Sequence, residues 1–217
     1  GNNVLTSTSD IANKIAETIS QNSSSSNYDP AFQKHQKVEE KRKINFDSDN
    51  GEDYNEPFSL SELTTALSKS HDTATGPDDI HYQLLKHLPD SCLEVLLHIF
   101  NQVWETDYFP SAWHDANIVP VPKPGKDHSN PSNYRPIALT SCLCKTMERM
   151  INDRLVYYLE NNHLLADIQC GFRKQHSTID HLVRLETFIR NAFINKQHAV
   201  SIFFDLEKAY EIGRAHV

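Results

Sequence analysis

Three groups of residues in this sequence have the types and spacing for chemistry on phosphates or metal ions. Lys123, Lys126 and Arg135 form the first: the lysines flank Pro124-Gly125, and the arginine sits beside Pro136. If the extended pieces that carry them pair as a hairpin, all three cations can face one surface and bind phosphates. The group is not a P-loop, because Asp127 stands where Ser or Thr is needed and no glycine lies five residues before Gly125. Each residue alone also fits an exposed turn with solvated side chains. The second group is Gln169-Cys170-Gly171-Phe172-Arg173 with Ser177-Thr178. Gly171 would let backbone approach a ligand, and Arg173 has the chemistry for a phosphate. A helix–helix loop with a capping serine is the plainer alternative. The third is Asp205, which ends the apolar run Ala199-Val200-Ser201-Ile202-Phe203-Phe204. An acid there is placed to hold a divalent cation. It could equally N-cap a helix opening at Leu206, and local sequence alone favours the cap.

The cysteines add no obvious metal centre. Cys92, Cys142, Cys144 and Cys170 form no CxxC pair and no dense framework, which reads as a reduced, intracellular protein. Cys142 and Cys144 are expected in the core. Cys170, His176 and His181 invite a metal reading but fit no zinc spacing, and no histidine pair at i and i+4 brackets a glutamate. Zinc hydrolysis is therefore excluded.

The elements that must position these groups follow from apolar spacing. Ile11, Ile15 and Ile19 give a short amphipathic helix capped by Ser9 or Asp10. The stretch from Gln21 to about Glu56 has too few large apolar residues to bury and reads as a flexible linker. From Phe58 the pattern changes. Ser59 and Glu62 have capping-box spacing ahead of Leu60, Leu63, Ala66 and Leu67. Ile80, Leu84, Leu85 and Leu88 predict a second helix stopped by Pro89, and Asp90 to about Thr106 a third with Leu93, Leu96, Leu97, Phe100, Val103 and Trp104 inward. Asn117–Pro122 is extended, with one edge left free by its alternate prolines. Thr140 or Ser141 opens a long helix to about Asn161, with Leu143, Met147, Met150, Ile151 and Leu155 as its buried stripe. Ser177 opens another through Phe193, and residues 199–204 have the length and composition of a buried strand.

The balance of charge at first argues against a nucleic-acid binder: 21 Lys+Arg against 29 Asp+Glu give −8. The surplus is local. Residues 1–57 carry 6 basic and 10 acidic side chains (−4), and residues 58–113 carry 2 and 8 (−6). Residues 114–154 carry 6 and 4 (+2), and residues 155–217 carry 7 and 7 (0). An anion site in the second half therefore stands against no opposing net charge. The mean hydropathy of −0.56 fits a chain that is not packed throughout. No apolar run reaches the ~18 residues that a membrane span needs.

Taken in order, these motifs resemble the reverse transcriptase domain of non-LTR (LINE-type, jockey-like) retrotransposons. The matching series is Phe58-Ser59 with Glu62-Leu63, then Thr75-Gly76-Pro77-Asp78-Asp79-Ile80, then Ile118 through Asp127. It continues with Asn133-Tyr134-Arg135-Pro136-Ile137-Ala138-Leu139, Gln169 through Arg173, and Phe204-Asp205-Leu206-Glu207-Lys208-Ala209-Tyr210. Asp79 stands where that family commonly has glycine. The resemblance implies an α+β, helix-rich fold: the fingers and start of the palm of a right-hand polymerase over residues 58–210. Residues 1–57, the amphipathic helix and a partly disordered linker, would precede it. Asp205 then matches the first metal-binding aspartate, against the local preference for a cap. Lys123, Lys126 and Arg135 match the fingers hairpin that holds the incoming triphosphate, and Gln169, Gly171, Phe172 and Arg173 a block near nucleotide and template. Two Mg²⁺ ions, an RNA template, a DNA primer and dNTPs would be the partners of the complete enzyme, with no membrane and no evident protein partner.

The later block with two adjacent aspartates is not in this sequence, whose one Asp-Asp pair, Asp78-Asp79, lies in the early loop. The chain is accordingly expected to be a fragment interrupted in the palm and inactive alone. Residues 211–217 (Glu211-Ile212-Gly213-Arg214-Ala215-His216-Val217) resemble an adapter read-through, with Glu211 where the family shows Asp, and are set aside as non-native. The rival reading is a non-catalytic RNA-binding or interaction module derived from such a domain.

Overall fold

The computed structural model describes residues 5–22, 24–43, 53–106 and 108–205. The tail at 211–217 and any helix opening at Leu206 lie outside them. The described chain divides into two compact units, residues up to Asn152 and residues from Asp153 on.

In the first unit, α1 (Thr8–Asn22) packs against the 3₁₀ turn Pro131–Asn133. Its first turn already contains Ser9 and Asp10, and Ile11 N–H donates to Ser7 O at 3.0 Å, so the helix starts earlier than the expected cap. Ile15 is its buried residue. The segment read as a linker holds a second helix, α2 (Pro30–Glu39). Asp29 caps it by accepting from Ala31 N–H at 2.7 Å, and Pro30 fills the position where a missing N–H costs nothing. The scarcity of apolar residues shows instead in its packing, since α2 buries none.

The core is built by α3 (Leu60–Ser68), α4 (Tyr82–Lys86), α5 (Asp90–Thr106) and the start of α6 (Cys142–Asn161). Leu63, Ala66, Leu67, Tyr82, Leu85, Phe100, Trp113, Cys142, Met147 and Met150 are buried there together. The predicted capping box closes α3: Ser59 N–H donates to Glu62 Oε2 at 2.8 Å, and Glu62 N–H to Ser59 Oγ at 3.3 Å. Ser59→Ala should lower stability by about 1 kcal/mol, read as a shift of the urea midpoint, with Ser59→Asp restoring most of it. At its other end, Arg149 Nη1 donates to Ala66 O (3.0 Å) and Ser70 Oγ (2.6 Å), while Lys86 Nζ donates to Ser70 O (2.6 Å). Cations thus satisfy one carbonyl of the last turn of α3 and the Ser70 residue just beyond it. Asn101 exchanges two hydrogen bonds with Phe58 (2.6 and 3.0 Å), fixing the approach to α3 against α5. The second predicted helix is short, ending before Leu88, and Leu84 is exposed.

Burial pushes the Cys142 thiol up, and that of Cys144 up to about 12, with Glu148 adding to the latter. Both are inert core cysteines, as expected.

The second unit comprises the end of α6, α7 (Thr178–Ile194) and the segment to Asp205. Ser177 and Asp180 form a second capping box. Both helices close on a left-handed residue that is not glycine. His163 (φ 53) lets Leu164 N–H reach Leu159 O at 2.9 Å, and Lys196 (φ 54) lets Gln197 N–H reach Ala192 O at 2.7 Å. Cys170 and Ala192 are the buried apolar residues among those described here. Two expectations are corrected. Leu155 is exposed, since the buried stripe of α6 ends at Ile151 with the core of the first unit. Residues 199–204 form no strand and are exposed; the described residues of the second unit contain no strand for them to pair with.

Candidate functional site

The hairpin is formed as anticipated: β1 (Asn117–Pro122) pairs antiparallel with β2 (Tyr134–Leu139), Pro120 opposite Pro136 and Val121 opposite Arg135. Two prolines cannot exchange N–H bonds, so Pro120/Pro136 must be a non-hydrogen-bonded pair and Val121/Arg135 a bonded one. The ladder continues in that phase, with Lys123 N–H donating to Asn133 O at 2.8 Å. Alternation then puts Lys123, Val121 and Arg135 on one face of the ribbon.

Lys123-Pro124-Gly125-Lys126 closes by a 3.3 Å bond from Lys126 N–H to Lys123 O, with Gly125 at φ 70. Proline second and a left-handed glycine third is what a type II turn requires. The rest of the loop is organised by Asp127, the residue that rules out a P-loop and closes the third block of the matching series. Its carboxylate accepts from Ser129 N–H (2.9 Å) and Ser129 Oγ (2.7 Å), bonds that hold it below the usual carboxylate range, and its carbonyl accepts from Asn133 Nδ2 (2.8 Å). Lys123 Nζ donates to Ser132 O at 3.2 Å, so this lysine braces the loop. The Lys126 and Arg135 side chains are exposed, with no hydrogen bond or ion pair among the described residues.

In the second unit, Arg173 is engaged. Its Nε and Nη2 donate to the two carboxylate oxygens of Glu160 at 2.9 and 2.6 Å. Nη1 donates to the Ala166 and Gln169 carbonyls at 3.0 and 3.3 Å. These hydrogen bonds keep Glu160 below its ordinary range and tie the loop after α6 back onto that helix. The left-handed residue of the loop is Phe172 (φ 61), not Gly171, and its side chain is 96% exposed. A Cβ on Gly171 would meet open space, and Gln169 is exposed. Asp205 is exposed at the end of the apolar run 199–204. Lys123, Lys126 and Arg135 thus belong to the first unit, and Gln169, Gly171, Phe172, Arg173 and Asp205 to the second.

A family profile described as "Reverse transcriptase (RNA-dependent DNA polymerase)" matches residues 121–212, which include all eight of these positions. The chain is 35% identical over 156 residues to a probable RNA-directed DNA polymerase from transposon BS of Drosophila melanogaster, covering 71% of this chain and 17% of that protein. It is 38% identical over 138 residues to the RNA-directed DNA polymerase from mobile element jockey of the same fly, covering 64% and 15%. The chain carries a stretch of reverse transcriptase domain of the non-LTR retrotransposon type. The resemblance read from the motif order is borne out. This reverse transcriptase segment spans about a sixth of the length of the relatives it matches. No helix among its described residues is long and apolar enough to cross a membrane.

Proposed function

We propose that the chain supplies the fingers and the start of the palm of an RNA-directed DNA polymerase, acting on an RNA template, a DNA primer and dNTPs in a protein of the relatives' length. The observation that carries the reading is the hairpin. Arg135 is an uncommitted cation beside a rigid loop, on the face Lys123 shares, and Lys126 stands uncommitted in the turn. That is a fitting platform for a triphosphate, whose charge must be neutralised from outside the metals. Lys126 and Arg135 bind the phosphates, and Lys123 holds the loop in shape. Phe172 offers an exposed ring to a base, with Gln169 and Gly171 in the same loop. Arg173, with its guanidinium on Glu160, positions that loop.

Asp205 is a hard oxygen donor in an exposed position, which suits Mg²⁺. Bound Mg²⁺ would activate the primer hydroxyl and stabilise the leaving pyrophosphate. Two-metal transfer of this kind needs further carboxylates, so the 217 residues alone should not extend a primer. The exposed apolar faces of the second unit, among them Ile179, Phe188, Ile202 and Phe204, are where the remaining palm would pack.

The test is primer extension by a clone extended to the relatives' length. Arg135→Ala should raise KM for dNTPs roughly tenfold, the effect of one charge-assisted contact, and Lys126→Ala several-fold less. An unchanged KM in the Arg135 variant, or Mg²⁺-dependent extension by the 217 residues alone, would refute the assignment in its respective part.

A further inference from the structure

The loop after α6 and the first turn of α7 bring together three side chains that the polymerase reading does not use. Cys170 Sγ, a ring nitrogen of His176 and a carboxylate oxygen of Asp180 all lie within 4.8 Å of one another. Cys170 is buried and the other two are half-buried, so the cluster is closed on the thiol side and open to solvent on the other. We propose that Cys170, His176 and Asp180 bind a zinc ion that staples this loop to the start of α7, with water as the fourth ligand.

Donor chemistry selects the metal. A thiolate, an imidazole and a carboxylate suit Zn²⁺, while the sulfur disfavours Mg²⁺ or Ca²⁺. Around tetrahedral zinc, ligand atoms stand about 3.3–3.7 Å apart, given bonds of about 2.0–2.3 Å. The three donors therefore need to close by about 1 Å, within reach of side-chain torsions at a half-buried histidine and aspartate. Asp180 is already braced from outside. Its Oδ2 accepts from Ser177 N–H at 2.6 Å and from Ser177 Oγ at 3.4 Å, leaving Oδ1 for the metal. His176 is held through its backbone N–H on Arg173 O, at 3.4 Å. In the sequence the metal reading grouped Cys170 and His176 with His181, in a spacing that fits no zinc pattern. The true third donor is its neighbour Asp180, turned inward by the capping box.

The inference stands apart from the polymerase reading, since it concerns a structural metal on residues outside the nucleotide chemistry. Its test uses the untagged 217-residue chain, stripped with chelator and titrated with Zn²⁺ and Co²⁺. One equivalent of zinc should survive desalting, and Co²⁺ should give a thiolate charge-transfer band. Cys170→Ser should abolish that band. Asp180→Asn should keep it while weakening metal affinity at least about tenfold, and His181→Asn and Cys92→Ser should change neither. Absence of the band in the unmodified chain overturns the proposal even if the Cys170 variant fails to fold. So does a band of equal strength in a folded Cys170→Ser variant, or one lost in Cys92→Ser alone.

Discussion

Asp205→Asn, in a clone extended to the relatives' length, should reduce primer extension by roughly a thousandfold or more, as expected for removing a group that stabilises transition-state charge in a preorganised site. The substitution keeps size and hydrogen-bonding capacity but removes the charge that would hold a divalent ion. Asp205 is exposed and outside the described core, so the variant should fold and melt like the parent. Two readouts separate the alternatives. A metal role predicts lost turnover with little change in primer–template affinity. A helix-capping role, the local preference of the sequence, predicts that Asp205→Asn keeps both stability and turnover, since asparagine caps as well as aspartate, while Asp205→Ala loses about 1 kcal/mol of stability with turnover largely kept. Extension within a few-fold of the parent would remove Asp205 from the catalytic set.

Gly76→Ala should cost about 2–3 kcal/mol, the upper range for overpacking a tight site. Gly76 is buried, and a Cβ there would lie 2.5 Å from Ser141 N, 2.6 Å from Thr140 C and 2.9 Å from Ser141 Cα. Those are backbone atoms at the entrance of α6, where Ser141 Oγ accepts from Leu143 N–H at 3.1 Å as the helix begins. No rotamer change relieves the clash, so either the 71–81 loop or the helix entrance must move. The measurement is urea denaturation: a lower midpoint at unchanged slope. A shift under ~0.5 kcal/mol would mean that the two backbones are not in contact in solution, since substitutions without such a feature usually fall within that range.

Gly76 also shows where sequence reasoning reaches and where it stops. Thr75-Gly76-Pro77 was recognised as a motif, but the reason for its glycine lies 64 residues away at Thr140 and no local rule exposes it. Local physics was legible: the Ser59/Glu62 box, the bounds of α5 and the pairing of the proline-bearing strands each depend on neighbours in the chain. Asp79, where the family commonly has glycine, sits at φ 55, and aspartate is among the few residues that tolerate that region. What was missed depended on partners distant in sequence or on weighting. Arg173 was read toward phosphate, yet Glu160, thirteen residues earlier, takes its fork. The α2 helix was hidden by poor hydrophobicity although Asp29-Pro30 is a start signal in plain view. The run 199–204 carried the composition of a strand, but composition cannot supply the neighbouring strand.

The phase of the hairpin also bears on how the protein behaves in company. In a two-stranded ribbon both outer edges are open, and each outward N–H is an invitation to a foreign strand. Pro120, Pro122 and Pro136 occupy non-bonded positions, so the donors they lack are the outward ones. The ribbon can reach into solvent without recruiting other chains along the proline-bearing stretch of either edge. Residues 199–204 have no such guard: β-branched and aromatic, uncharged until Asp205 and free of proline, they form the segment through which this chain would self-associate.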